Sequence, residues 1–470
     1  MVARRLRGNE AILAGVLAAL TALIAYAAAR KLGTAGLLAP LALVVLLVMV
    51  QRPIVMLSFV VGLTILAEGP DFGLFHFTAQ LYTHATVMNI LVFLVVLSVG
   101  LDMLRQKRRP RLARELILPL VLLALAMISG IVTARAAGIG TTTALHSENL
   151  LDYLLFLIPA VANMDLELPQ VLGLLRLAYG LAVIKAGLGL VEIGLGYGAP
   201  IEGTGALTYY EPTANWLILI AILGIFTAVL ARLRPTLWAL LSSPLLFASL
   251  LLSYRRSFWI AAVLGLVLVG MLALKPAGRR MLIPIGLALI ASVWLLSSVR
   301  LSDSSPIIAR AASLSPTKIS NNVEDRYRLD ERANVLAEIE KHPFTGLGVD
   351  VEWQATHRPL PIDHEGGRLY VHFAALYFWL KLGILGLFAY ISLLLCSGIL
   401  AWRVWRRGRE PLVRAFGLAS LCGFAGLAAV ETTASFSGVD VRFTVLLSAQ
   451  IGLLALLARR AGEAAPEPAN

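Results

Sequence analysis

Apolar residues in this chain neither alternate with polar ones nor recur on a single helical stripe. They come in long runs, at 11–29, 34–50, 53–68, 84–104, 116–136, 149–163, 171–196, 212–231, 236–253, 257–274, 281–299, 371–402, 412–431 and 440–458. A helix needs roughly 20 apolar residues to cross a bilayer, within a range of about 17–25. Most of the runs approach or exceed that length, and none has the period of a strand. Lipid offers the backbone no hydrogen bonds, so only helices or closed barrels cross it. The pattern predicts an all-α polytopic transmembrane helical bundle of about 12–14 spans, the lower count applying if two early runs are re-entrant or interfacial. The first run follows a basic N-terminus without a small-residue cleavage site, so it is expected to be retained as a span.

One stretch breaks the pattern. Residues 300–370 are polar, with about twenty charged residues and three of the seven histidines. Within them, Arg326 to Lys341 has rough helical spacing at Leu329, Ala333, Leu336, Ala337 and Ile339, which predicts an amphipathic helix. His342-Pro343 should end it and Gly346-Leu347-Gly348 should turn the chain. The expected division is therefore 1–299, transmembrane helices with basic loops; 300–370, a large functional loop; 371–460, the C-terminal helices; and 461–470, a short disordered tail. A loop this long between spans is more often functional than idle.

Composition removes the alternative of several soluble domains. Hydrophobic residues make up 59% of the chain and charged ones 14%, with a mean hydropathy of +0.82. Ordinary globular domains are close to half apolar and a quarter charged. The net charge of +12 does not point to nucleic acid, because the cations are grouped at the ends of apolar runs. They cluster at Arg4/Arg5/Arg7, Arg105–Arg114, Arg232/Arg234, Lys275/Arg279/Arg280, Arg403/Arg406/Arg407/Arg409 and Arg459/Arg460. Positive-inside topology places basic groups in this way. With the N-terminus inside, fourteen alternations put every cluster on the cytoplasmic side, both termini with them, and 300–370 outside. Cys396 and Cys422 lie in apolar runs and imply no disulfide framework.

A few residues break the expected rules. Arg255 and Arg256, in Leu252-Ser-Tyr-Arg-Arg-Ser-Phe258, fall in a tight turn on the outer side, where basic residues should be scarce. They are either snorkelling arginines bonded to lipid phosphates or an anion site, since guanidinium groups grip phosphate oxygens in pairs. His372 opens an apolar run at its outer mouth; it is either a structural hydrogen-bonder or a proton acceptor for a hydroxyl. Arg328 and Arg332, one helical turn apart, lie on the same side and are either solvated helix charges or further anion ligands. Lys185 and Glu192 share a helix face inside an apolar run, as a relay or as a mutually satisfied pair. Lys381 and Glu431 are weaker cases. Glu68-Gly-Pro-Asp71 and Asp350-Val-Glu352 read as turns sooner than paired catalytic carboxylates. No metal cluster, Walker or dinucleotide fingerprint, or Gly-x-Ser-x-Gly nucleophile occurs in the sequence.

Three motifs resemble the O-antigen ligase and polymerase superfamily of bacterial membrane glycosyltransferases, over roughly 205–400. Arg328 to Gly348 follows the pattern of Arg, amphipathic helix and Pro-x-x-Gly-x-Gly, here His342-Pro-Phe-Thr-Gly346-Leu-Gly348. His372-Phe, nine residues and Gly383-Ile-Leu-Gly386 is close to the family's His, polar residue, nine residues, Gly-x-x-Gly. Ser253-Tyr-Arg-Arg-Ser-Phe258 is similar to the Ser-Arg that closes a span. Glu211-Pro-Thr-Ala-Asn215 is a fainter echo of a Pro-Asn element. The chain departs from the pattern twice, with Phe373 where Asn, Ser or Gln is usual and Arg332 where Trp is common.

The resemblance implies metal-independent transfer, of GT-C type and without a cofactor, of a glycan from a polyprenyl (undecaprenyl) diphosphate carrier to a hydroxyl on a glycan, lipid or other acceptor. It further implies the bacterial plasma (inner) membrane, with the site facing the periplasm or outside. Residue chemistry is consistent with this. Arg255, Arg256 and Arg328 are candidates for holding the diphosphate and stabilising its growing charge, Arg332 for further donor binding, and His372 for deprotonating the acceptor. His342 and Tyr370 are accessory candidates. Membrane lipids are expected neighbours and nucleic acid is not. Ligase, repeat-unit polymerase and transfer to protein hydroxyls differ only in acceptor. A proton-coupled transporter or lipid-linked glycan flippase working through Lys185 and Glu192 is the reading from another class. It predicts inverted repeats, which the sequence does not show.

Overall fold

In a computed structural model of the chain, the described residues are 46–66, 80–82, 85–200, 207–208, 212–274, 323–362 and 367–463. The runs 11–29 and 281–299, most of 34–50, Glu68–Asp71, Glu211, the clusters Arg4–Arg7 and Lys275–Arg280, and the tail from 464 lie outside them. The other eleven apolar runs each coincide with helix. Among the described residues, eight helices are long and apolar enough to cross a membrane, and three apolar ones are shorter, Pro53–Leu66, Tyr153–Ala162 and Leu237–Leu252. This is an all-α polytopic bundle. Among the described residues, strand is limited to two short hairpins, Gln80–Tyr82 with Ala85–Thr86 and Ala199–Pro200 with Leu207–Thr208.

In chain order the helices are α1 (Pro53–Leu66), α2 (Val87–Arg105), α3 (Arg114–Ala136), α4 (Thr141–Asp152), α5 (Ile158–Ala162, reached through a π-helical turn), α6 (Leu168–Gly194), α7 (Pro212–Leu230), α8 (Leu237–Leu252), α9 (Arg256–Ala273), α10 (Val323–Lys341), α11 (Ala374–Arg407), α12 (Pro411–Val430) and α13 (Val441–Glu463). Aromatic and amide groups knit the centre. Trp216 of α7 lies against Phe424 and Phe443, with centroids 6.2 and 5.9 Å away, and donates to Gln450 Oε1 at 2.8 Å.

The bundle has two chemically different ends. At one, Glu115 pairs with Arg403, Arg459 donates to the Arg111 carbonyl, and Arg460 meets Asp165. The arginine groups of 105–114, 403–409 and 459–460 thus gather at one end, as the topology argument expects. At the other end Gly348 packs on Ala134 of α3, and His372 precedes α11. These contacts make α3 and α11 antiparallel partners.

α11 is longer than a span needs. Its 34 residues rise about 51 Å, against about 30 Å of hydrocarbon. It is broken at Gly383, where φ is 70° and ψ −166°. The rise from Gly383 to Arg403 is about 30 Å, and from Glu115 to Ala134 about 28 Å. The membrane-length part of α11 therefore begins at the break. The turns from Ala374 to Leu382 precede the break, and His372 lies just before them.

Candidate functional site

The break in α11 holds the site together. Ending a helix strands its last carbonyls, and here another segment takes them. Leu347 N donates to the Leu380 carbonyl at 2.6 Å and Gly348 N to that of Lys381 at 3.2 Å, while Ile384 N donates to the Phe344 carbonyl at 3.2 Å. Trp379 Nε1 adds a bond to the Pro343 carbonyl at 2.8 Å, and Lys381 Nζ reaches the Val351 carbonyl. The Pro-x-x-Gly-x-Gly and Gly-x-x-Gly motifs are thus two sides of one junction. A side chain at Gly383 would put its Cβ 2.0 Å from the Phe344 oxygen, and one at Gly348 would come 2.4 Å from Ala134 N. Only glycine permits these approaches.

On this junction rests a small second core, separate from the bundle's, made of Val335, Ile339, Trp353, Val371, Leu376 and Leu380. It fixes α10 against the outer turns of α11. The amphipathic helix is present, with Ile339 buried and Ala333, Leu336 and Ala337 half-buried as expected, but the face extends over residues that apolar spacing did not mark. Leu329 is exposed, and the buried residues are Tyr327, Glu331, Asn334, Val335, Glu338 and Ile339. The polar members are buried with partners. Asn334 donates to the carbonyls of Asp330 and Arg358 and accepts from the amides of His357 and Arg358, at 2.8–2.9 Å. Reading the helix for apolar spacing alone overlooks a face satisfied by hydrogen bonds.

Glu331 is the residue that sequence reasoning missed. Its carboxylate, 2% exposed, lies 3.1 Å through both oxygens from Nδ1 of His372 and accepts the His372 backbone N–H at 2.9 Å. A carboxylate only accepts, so the hydrogen of this contact sits on Nδ1, and in a neutral ring the lone pair is then on Nε2. Two tyrosine rings meet the imidazole edge-on, Tyr370 at 4.7 Å and Tyr327 at 5.7 Å. The Tyr370 hydroxyl accepts from Ser435 N at 3.0 Å and donates to its carbonyl at 3.3 Å, while Ser435 Oγ donates to the Val371 carbonyl. Glu431 supports the same wall: its carbonyl takes Ala374 N, and its carboxylate takes Tyr390, Ser437 N and Phe436 N. A usable signal was present. A histidine at a site mouth calls for an orienting group, and the neighbouring helix carries several carboxylates.

The arginines gather at the other end of α10. Arg256, first residue of α9, sends one nitrogen to both oxygens of Asp325 at 2.9 and 3.1 Å, and Arg328 approaches the same carboxylate at 3.8 Å. Asp325 thus ties two of the predicted cations, from distant parts of the chain, to one point. Arg255 occupies the N-cap position of α9 without a side-chain capping bond, in the turn Ser253-Tyr254-Arg255, which is pinned by Thr208 Oγ1 on the Ser253 carbonyl. Tyr254 there takes a left-handed φ of 51°, and burial pushes its phenol up. Arg328 lies only three residues from Glu331, about 4.5 Å of helix rise. The arginine group and the imidazole therefore adjoin.

Arg332 points elsewhere. Its guanidinium stands over the Phe373 ring at 5.5 Å from the centroid, so the two departures from the family pattern are one cation–π contact beside His372. His342 is exposed just past the end of α10, roughly 16 Å of rise beyond Glu331; it is not brought to His372. Lys185 and Glu192 are both buried in the bundle on α6. Among the described residues no three His, Cys, Asp or Glu side chains come together as metal ligands would.

Residues 241–391 match the family model described as O-antigen ligase. That segment contains Arg255, Arg256, Arg328, Glu331, His372 and both glycine motifs, so the resemblance to the O-antigen ligase and polymerase superfamily is shown where the site lies. It supports a multi-pass membrane enzyme of the glycosyltransferase kind. No curated protein matches the chain.

Proposed function

We propose that the protein is an O-antigen ligase-like glycosyltransferase that moves a glycan from a polyprenyl diphosphate carrier to an acceptor hydroxyl at the outer face of a bacterial plasma membrane. The observation that carries this reading is the Glu331–His372 pair lodged beside the Arg256–Asp325–Arg328 group on one helix. In the transfer, the acceptor oxygen bonds to the anomeric carbon as the bond from that carbon to the diphosphate oxygen breaks. The leaving electron pair stays on the diphosphate. Such a group leaves without a strong general acid, so the protein has two tasks.

The first is electrostatic. Arg255, Arg256 and Arg328, beside the N-terminus of α9, meet the charge growing on the diphosphate. Asp325 holds two of the guanidinium groups in place beforehand, so little reorganisation is needed when the donor arrives. The second is proton removal. His372 takes the acceptor proton on Nε2, and Glu331 holds the ring and stabilises the resulting imidazolium. Tyr370 and Tyr327 restrict the ring from its edges. Arg332 on Phe373 lines the acceptor side. The donor's polyprenyl tail lies among the spans, and the arginine-rich end of the bundle, with both termini, faces the cytoplasm.

The test is transfer by the purified full-length protein in liposomes, with a lipid-diphosphate-linked oligosaccharide, a panel of acceptors and EDTA. Expected are activity that survives the chelator and its loss in His372→Ala, with the spans still inserted. A lipid or core-glycan acceptor identifies a ligase, and a second repeat unit a polymerase. Full activity in the variant sinks this assignment, as does an inactive wild type under conditions where a known ligase works.

A further inference from the structure

Among the described residues, an apolar cavity lies towards the other end of the bundle from His372. It is about 630 Å3, within the span of about 300–1,000 Å3 usual for ligand sites. It runs between α6, α7, α12 and α13 and the start of α8. Along α7 it extends from Trp216 to Ala228, about 18 Å of helix rise, so it is long and narrow. Small residues such as Gly224, Ala415 and Ala419 line it.

The polar groups that reach its walls are already engaged. Trp216 donates to Gln450, Gln450 donates to Ser420 at 2.9 Å, and the Tyr179 hydroxyl bonds Ser242. The interior therefore offers a ligand only apolar contact. Its rim differs. Arg176 and Arg234 are exposed there, and no carboxylate among the described residues lies within ion-pair reach of either. The rim backbone is itself unusual. Arg232 and Arg234 have left-handed φ values of 56° and 54°, which bulky residues rarely adopt. Between them Leu233 turns into the cavity, its amide held by the Ala228 carbonyl at 2.7 Å.

We infer that this cavity binds an anionic phospholipid from the leaflet on the arginine-rich side, with an acyl chain along α7 and the phosphate at Arg176 and Arg234. An apolar channel with cations only at its mouth suits an amphiphile with a negative head, and basic pockets between spans bind such headgroups. The glycan donor is not the occupant, because its diphosphate belongs at the opposite end of the same helices.

The experiment titrates purified full-length protein with phosphatidylglycerol or phosphatidylcholine and counts bound lipid by native mass spectrometry. Phosphatidylglycerol should bind roughly 10- to 30-fold more tightly than phosphatidylcholine. The double variant Arg176→Gln/Arg234→Gln should erase that preference, and Ala419→Trp, which fills the channel, should lower retention of both lipids about tenfold. Equal binding of the two lipids by wild type overturns the assignment, as do an unchanged preference in the double variant and undiminished retention in the filled one. Displacement of phosphatidylglycerol by equimolar polyprenyl phosphate likewise overturns it. If Ala419→Trp fails to fold, the double variant decides alone, since both arginines are exposed.

Discussion

The bundle and the cap that α10 forms on it are held together by different physics. In the bundle, long apolar helices meet across a large continuous core from Val50 to Ala458. Its outer surface is apolar as well, with residues such as Phe93 and Leu118 more than half exposed. Many side chains share the packing, and no single pairing decides it. The cap has a core of six buried apolar residues. It is fastened by particular bonds: Leu347 to Leu380, Asn334 to the 357–358 backbone, Glu331 to His372 and Arg256 to Asp325. Where burial is scarce, geometry must be exact, and a site built there inherits that precision and that fragility.

This contrast sets the order of expected effects. Gly383→Ala should be the most damaging change outside the arginine and histidine groups, because the Phe344 oxygen occupies the place of the new Cβ. Transfer should be lost and protease cleavage within 344–360 should rise, with membrane insertion unchanged; an active, protease-resistant variant would mean that the junction does not organise the cap. Glu331→Gln should lower kcat by about 10²-fold or more while leaving the fold intact. A rise in KM with kcat unchanged would show that Glu331 does not serve the reacting imidazole. Trp353→Ala removes the largest side chain of the small core and the bond to the Tyr370 carbonyl. It should cost about 3–5 kcal/mol of cap stability, read by hydrogen exchange at 347–372, with the bundle's protection unaltered. Arg332→Ala should cost roughly 0.5–1 kcal/mol and should shift preference among acceptors without changing donor binding. Phe93→Ala, on the lipid-facing side, should stay within about 0.5 kcal/mol in stability and leave transfer unchanged; a large loss there would erase the contrast.

The same contrast explains what could be read from the sequence. Span positions and the gathering of arginines at one end follow from composition, which many residues encode redundantly. His372 and the arginine turn stood out because each violates the pattern around it. Glu331 did not, since an acid on a polar helix is ordinary, and only the fold shows that its face is the buried one. The glycine motifs could be recognised but not explained, because their meaning lies in the contact between residues far apart in the chain. The expected apolar face was wrong at Leu329 and incomplete elsewhere for a related reason: periodicity counts apolar side chains, whereas this helix is seated by an amide and a carboxylate as much as by Val335 and Ile339.

The junction at Gly383 also dictates an order of assembly. Gly348 needs Ala134 from a helix made long before it, Phe344 needs a break made after it, and Tyr370 needs Ser435 from the last loop. A chain emerging from the ribosome can insert and pair its early helices while its catalytic groups are still apart. Tyr370, which borders the His372 ring, finds its partner Ser435 only after that loop is made, so a product cut short before it would keep its early helices and lack this wall of the candidate site.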